Sequence, residues 1–474
     1  MKRVRILTRH ATVSHSKKTK GRLRPLAALM CSLTVLSACM SAPQSTVPPS
    51  ARASSDMLDL PPMKVFSDGQ AAPTSRSNTS ITRDFLDLSF ALETGATLDR
   101  FTRFEGPITL RVTGDTVPVS LTHDLSRLLT RLDREAGISI TRVPANQPAA
   151  ITIETLTQAE LSRRAPNTAC IVVPNVSGWD EFKHARRAAL SWTQVTTRER
   201  LSIFIPTNVP PQEIRDCLHE ELAQALGPLN DLYRLPDSVY NDDNIHSVLT
   251  PFDMLILRAT YAPELRSGMS RAEVARALPG ILARINPAGA TGYTTPVQPT
   301  PRAWTEAAMG AMGDGSLTSR LQDAKTAVAI ARAEGWSDTR AGFSWFLLGR
   351  LSIATDRASA QLALTEAKRI YDARPETRFH SAHVAMQLSA LALSEGRYEA
   401  AYDISASAIS AARDAENAAL LASLMLTEAE ALDKLGRVSE ARSVRLDSLG
   451  WARYGFGSDD VVRTRAAEIA SLAQ

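Results

Sequence analysis

The chain has 474 residues, of which 44% are hydrophobic, 22% charged and 5% aromatic, an ordinary globular composition with room for two or three domains. Nine Lys or Arg and no acid lie within the first 24 residues, so the formal charge of +4 becomes −5 once they are set aside. That excludes the broadly basic surface on which nucleic-acid binding would rest.

Residues 1–38 read as a signal peptide. A basic start is followed by a short apolar run and by Leu36-Ser37-Ala38-Cys39, and such a run is too short for a transmembrane helix. The pattern resembles bacterial lipoprotein signals. The resemblance implies lipidation of Cys39, with the membrane as one partner, and the absence of Asp at Met40 points to the periplasmic face of the outer membrane. A plain secretory signal with an incidental Cys is the alternative. Residues 39–78 are rich in Ser, Pro and Ala, a composition that cannot bury enough surface to fold and reads as a disordered tether. Of four cysteines, Cys31 and Cys39 belong to this leader. In an oxidising envelope Cys170 and Cys217 most simply form one disulfide, two buried free thiols being the alternative.

Residues 79–286 alternate helical and strand patterns. Helical spacing is expected over 83–93, 123–136 and 210–226, and strand composition over 107–112, 138–143, 149–156, 170–174 and 201–206. Interspersed elements of this kind indicate an α/β (α+β) domain. A linker rich in Pro, Gly and Thr occupies 287–301. Beyond it, residues 302–474 are rich in Ala and Leu, and Arg357, Arg397 and Arg437 recur at a spacing of 40 residues. One helix pair cannot bury its apolar face alone, whereas stacked pairs can, which predicts an all-α solenoid. The repeats resemble tetratricopeptide repeats, and the resemblance implies a surface for an envelope protein partner. A purely structural helical cap is the competing reading.

The chemistry concentrates in residues 216–269. A zincin helix grips its metal with two His at i and i+4 and uses the Glu after the first His as base. His219-Glu220 would begin that motif, but Ala223 stands at i+4. Counting back from Gly227, where such a helix ends, places Glu220 and Gln224 at the two His positions, Glu221 at the base position and Asn230 at the third-ligand position. None is His. Oxygen donors suit Ca²⁺, Mg²⁺ or Mn²⁺ better than Zn²⁺, and only one of the three carries charge unless Asp231, Asp242 or Asp243 joins them. Downstream, Thr250, Pro251 and Asp253 look like a capped helix start, and Ser238-Val239-Tyr240 sits where matrix-metalloprotease-like enzymes carry a Met-containing turn.

Cys217, Glu220-Glu221, Gln224, Leu226-Gly227, Asn230-Asp231, Ser238, Tyr240-Asn241-Asp242, Leu249-Thr250, Asp253 and Gly268-Met269 together resemble an uncharacterised bacterial family, the domain of unknown function 2927. The resemblance implies a secreted or lipid-anchored, metzincin-like domain with no established activity. Two functions are therefore carried forward: an envelope binding or scaffold protein with a degenerate site and no obligatory cofactor, or a divergent metal-dependent hydrolase with Glu221 as general base. His123, His184, His246, His380 and His383 are isolated in pattern, and no Gly-x-Ser-x-Gly elbow or Gly-rich phosphate loop occurs.

Overall fold

Strand-forming residues between Ile108 and Pro206 pair into one mixed five-stranded sheet in the computed structural model, which describes residues 60–67, 74, 76–292, 294 and 297–473. The signal peptide, Cys39 and most of the tether lie outside the described residues. Strands β1 (Ile108–Thr113), β2 (Ile140–Arg142), β3 (Ile151–Leu156), β4 (Ile171–Pro174) and β5 (Leu201–Pro206) lie in the order β2-β1-β3-β5-β4. All neighbours are parallel except β4, which runs antiparallel to β5 at one edge. Central β3 and β5 pair from Ile151↔Leu201 to Leu156↔Pro206 and are almost wholly buried, which is why they read as near-continuous apolar runs. β2 is shorter than the expected 138–143, because Ile138 joins the main core and Val143 makes only one hydrogen bond, from its amide to Leu110 O within β1.

Helices cover both faces. α1 (Asn78–Ser89), α2 (Val119–Arg131), α5 (Pro211–Leu226), α6 (Pro251–Thr260) and α7 (Arg271–Ile285) share one apolar core with Leu110, Ile153 and Ile203. The short α3 (Gln158–Arg164) and α4 (Trp179–His184) pack with Ile171, Val173 and Phe204 in a separate, smaller cluster. Successive residues of a strand point to opposite faces, so Val172 belongs to the first core and its neighbours to the second. α1 begins five residues before the expected helix, because the Ser77 hydroxyl accepts from the Ser80 amide. It stops at Ser89, leaving Glu93 in the following turn. The Cys170–Cys217 disulfide forms, with Cα atoms 5.8 Å apart, and ties the entry of β4 to α5.

From Arg302 onward the described residues are helical. Four antiparallel pairs follow one another: α8 (Arg302–Met312) with α9 (Leu317–Ala333), α10 (Thr339–Ser352) with α11 (Arg357–Asp372), α12 (Arg378–Ser394) with α13 (Tyr398–Asp414), and α14 (Ala418–Lys434) with α15 (Val438–Phe456). α16 (Asp459–Leu472) closes the series. The repeated arginines mark where each second helix starts. Arg357 is the first residue of α11, and Arg397 and Arg437 cap α13 and α15 just after Gly396 and Gly436, whose positive φ of 71° and 79° lets the chain reverse. In α10, a Cβ on Gly342 would lie 2.6 Å from the Tyr371 ring and one on Gly349 2.7 Å from Leu364, so these glycines set how closely α11 approaches.

The α/β segment and the helices meet along α5. Buried Arg215 donates to Glu416, to its carboxylate at 3.2 Å and to its backbone carbonyl, while Phe66 and Tyr454 lie over the guanidinium. The Tyr454 hydroxyl donates to Asp124 at 2.6 Å, and Gln212 accepts from the Ala419 amide at 2.9 Å. Among the described residues no helix is long and apolar enough to cross a membrane.

Candidate functional site

Helix α5 starts with Pro211 at a position where the missing N–H costs nothing, and ends at Gly227. A Cβ on Gly227 would stand 2.9 Å from Leu257, so glycine permits the close approach of α6. The free carbonyls at this end are capped by a buried side chain. Arg198 donates to Gln224 O at 2.6 Å, Ala225 O at 2.8 Å and also Gly227 O, over the Trp192 ring. Burial lowers the Arg198 pKa to about 10, still well above neutrality, so the cap remains charged.

The chain then crosses residues 227–250 without regular structure and enters α6 through the expected capping box of Thr250 and Asp253. Asp253 does more than cap. It accepts from the Ser238 hydroxyl at 2.5 Å and the Val239 amide at 3.1 Å, and the Tyr240 hydroxyl reaches Ala223 O at 3.3 Å. The Ser238–Tyr240 turn is thereby held beneath α5. A second anchor holds the start of this crossing: the amides of Leu229 and Asn230 donate to Leu88 O, and Arg234 pairs with Asp84 at 2.7 Å and Asp87 at 3.0 Å.

These anchors bring Asp231 and Asp242 to Glu93, with one oxygen from each of the three carboxylates lying within 4.8 Å of the others. Glu220 and Gln224, one turn apart on α5, face the same place. The Gln224 amide donates to Glu93 at 3.5 Å, while its Oε1 is buried without a partner in a side chain 1% exposed. Burial and mutual repulsion hold the carboxyls of Glu93, Glu220 and Asp231 well above the usual range. Burial acts most strongly in each case. Asp231 and Asp242 add to it at Glu93, Glu221 and Asp231 at Glu220, and Asp242 at Asp231.

The candidate residues read from the motif divide. Glu220 and Gln224 reach the cluster. Asn230 does not, because its amide donates to Asp87 O at 2.9 Å and pins the crossing to α1. Glu221 is fully buried against β4, and neither carboxylate oxygen makes a hydrogen bond of good geometry. Burial, which favours the protonated form over a free carboxylate, lifts its pKa to about 8 despite the nearby Val172 backbone amide. His219 accepts from the Leu249 amide at 3.2 Å, a structural role; burial first, then Arg215, keeps it neutral. Of the acids named as additional ligands, Asp231 and Asp242 join. Asp243 turns away, bonding His380 at 2.9 Å and the Ile245 amide. The residue missed is Glu93, far upstream and inside a segment expected to be helical. Nothing in its neighbourhood of sequence marks it.

Several carboxylate oxygens gathered this closely suit a hard divalent ion. Oxygens 2.3–2.6 Å from a Ca²⁺ can stand at most about 5 Å apart, a limit that the 4.8 Å spread meets. Zinc, which favours His and Cys, finds neither in the cluster. The chain has no match among curated proteins and none among solved structures. Residues 78–280, which contain every member of the cluster, match the family described as "Protein of unknown function (DUF2927)".

Proposed function

We propose that this is a lipid-anchored protein of the cell envelope that binds and scaffolds rather than catalyses. In this reading the α/β domain is a metzincin-like fold whose former catalytic face holds a hard divalent cation, and the tetratricopeptide-like repeats engage an envelope protein. The observation that carries it is the convergence of Glu93, Asp231 and Asp242, with the Gln224 amide donating to Glu93 and its buried oxygen left without a partner, beside a motif without His. Mutually repelling carboxylates separate unless protons or a cation neutralise them. A bound Ca²⁺ or Mn²⁺ would tie the turn after α1 to the crossing between α5 and α6, and so order the face that meets a partner.

The alternative, a metal-dependent hydrolase with Glu221 as base, is opposed by the inward position of Glu221 and by the burial that raises its carboxyl pKa. Calorimetric titration of the purified chain with CaCl₂, MnCl₂ and ZnSO₄ tests the proposal. Expected are one Ca²⁺ or Mn²⁺ per chain, loss of binding in Asp231→Asn and Asp242→Asn, and retention in Glu221→Gln. Absence of Ca²⁺ and Mn²⁺ binding in the parent chain sinks the cation reading. A peptidase activity lost in Glu221→Gln overturns the non-catalytic one.

A further inference from the structure

Asp242 and Asp243 are neighbours that serve different places. Asp242 belongs to the carboxylate cluster, whereas Asp243 and Ile245 form one wall of a cavity of about 450 Å³ whose other walls come from the helical repeats. That volume is in the small-molecule range of roughly 300–1,000 Å³. Its apolar lining includes Phe343, Phe346, Leu347 and Met386. The polar lining is cationic. Arg320 spends only its Nε, on Ala311 O at 3.0 Å. Arg350 makes no hydrogen bond or ion pair among the described residues, and the two guanidiniums are close enough for Arg320 to lower the Arg350 pKa, secondarily to burial. His383 adds a buried Nε2 without a partner. Neither acid in the lining neutralises them: Asp243 is held by His380 and Asn241, and Asp314 is exposed and pairs with neither arginine. Two unpaired guanidiniums beside an aromatic wall make a fork for an oxyanion with apolar surface behind it.

We propose that this cavity binds a small amphiphilic anion, its carboxylate or phosphate head on Arg320, Arg350 and His383 and its apolar body on Phe343, Phe346 and Leu347. The wall contributed by residues 243–245 makes the site a joint product of both halves of the molecule, and a ligand there would bear on the segment that also carries Asp242.

Isothermal titration of the full chain with four probes of equal chain length tests this: decanoate, decyl phosphate, decanol and decyltrimethylammonium. One or both anions should bind about tenfold or more tightly than decanol, a difference of at least about 1.4 kcal/mol, and the tighter of the two identifies the head group. The cationic probe should not bind. Arg350→Ala and Arg320→Ala should each weaken the anion by about tenfold, with thermal unfolding checking that the fold persists. Equal binding of decanol, or unchanged anion affinity in a folded Arg320→Ala/Arg350→Ala double variant, overturns the proposal. So does failure of both decanoate and decyl phosphate to bind the parent chain.

Discussion

Helix α5 carries two buried polar groupings of opposite character. Toward its start, Arg215 and Gln212 are paired with Glu416 and the Ala419 amide across the boundary with the helical repeats, and the guanidinium is flanked by Phe66 and Tyr454. Toward its end, Glu220 and Gln224 meet Glu93, Asp231 and Asp242, where like charges repel and an amide oxygen has no partner. Polar groups of the first kind, in which opposite charges pair and only the Arg215 Nε lacks a hydrogen bond, stabilise an interface. Those of the second kind cost stability unless something else binds or neutralises them, and the two groupings should therefore respond differently to pH and to added cations.

The comparison breaks most decisively at Arg215. Arg215→Ala removes one partner of a buried pair and should destabilise by about 3–5 kcal/mol, read by urea unfolding, and by the same amount with chelator or with CaCl₂. A loss that CaCl₂ repairs would mean that the two groupings are not distinct. Replacing both Cys170 and Cys217 by Ser should cost about 2–4 kcal/mol and also weaken the cation, because the bond holds α5 against β4 and hence the position of Glu220.

The carboxylate grouping should respond with the opposite sign. Glu93, Glu220, Asp231 and Glu221 all titrate higher folded than unfolded, so the folded chain keeps protons that the unfolded chain releases above about pH 4.5. Their contribution is complete below that pH and is lost as pH rises, for Glu221 until about pH 8. In chelator the melting temperature should fall between pH 5 and pH 8. Glu93→Gln/Asp231→Asn should flatten that fall and raise the melting temperature at pH 8, by roughly 2–4 °C for each kcal/mol relieved. CaCl₂ should protect the parent chain more at pH 8 than at pH 5 and should not protect this variant. A parent chain whose melting is independent of pH and of CaCl₂ would remove the distinction. Glu221→Gln should likewise gain stability at pH 8 while leaving cation affinity untouched. The smallest effect belongs to Asp243→Asn, which weakens the bond to His380 at the cavity wall and should cost about 1–2 kcal/mol, detectable as a shift in the urea midpoint.

Features that depend on short stretches of chain were legible in the residues alone. Pro210-Pro211 and Gly227 bound α5, Thr250 and Asp253 cap α6, and the 40-residue spacing of Arg357, Arg397 and Arg437 marks the second helices, because capping and turn geometry act within one turn of backbone. The mixed sheet and the all-helical second half followed from the two periodicities of side-chain placement. The membership of the carboxylate cluster did not. The reading from Gly227 located the helix end correctly and supplied Glu220 and Gln224, but a helix specifies only which residues share a face and not what that face meets.

Sequence by itself therefore determined the elements, their caps, the repeat and the stretch where polar chemistry gathers, since each arises from interactions between residues close along the chain. Tertiary structure alone decided that Asn230 anchors α1, that Glu221 is buried against β4, that Glu93 completes the carboxylate cluster, and that Arg320 and Arg350 share a cavity wall with Asp243. Those outcomes depend on which loops the packed core brings within a few ångströms of one another, and no pattern local to any of these residues encodes that distance.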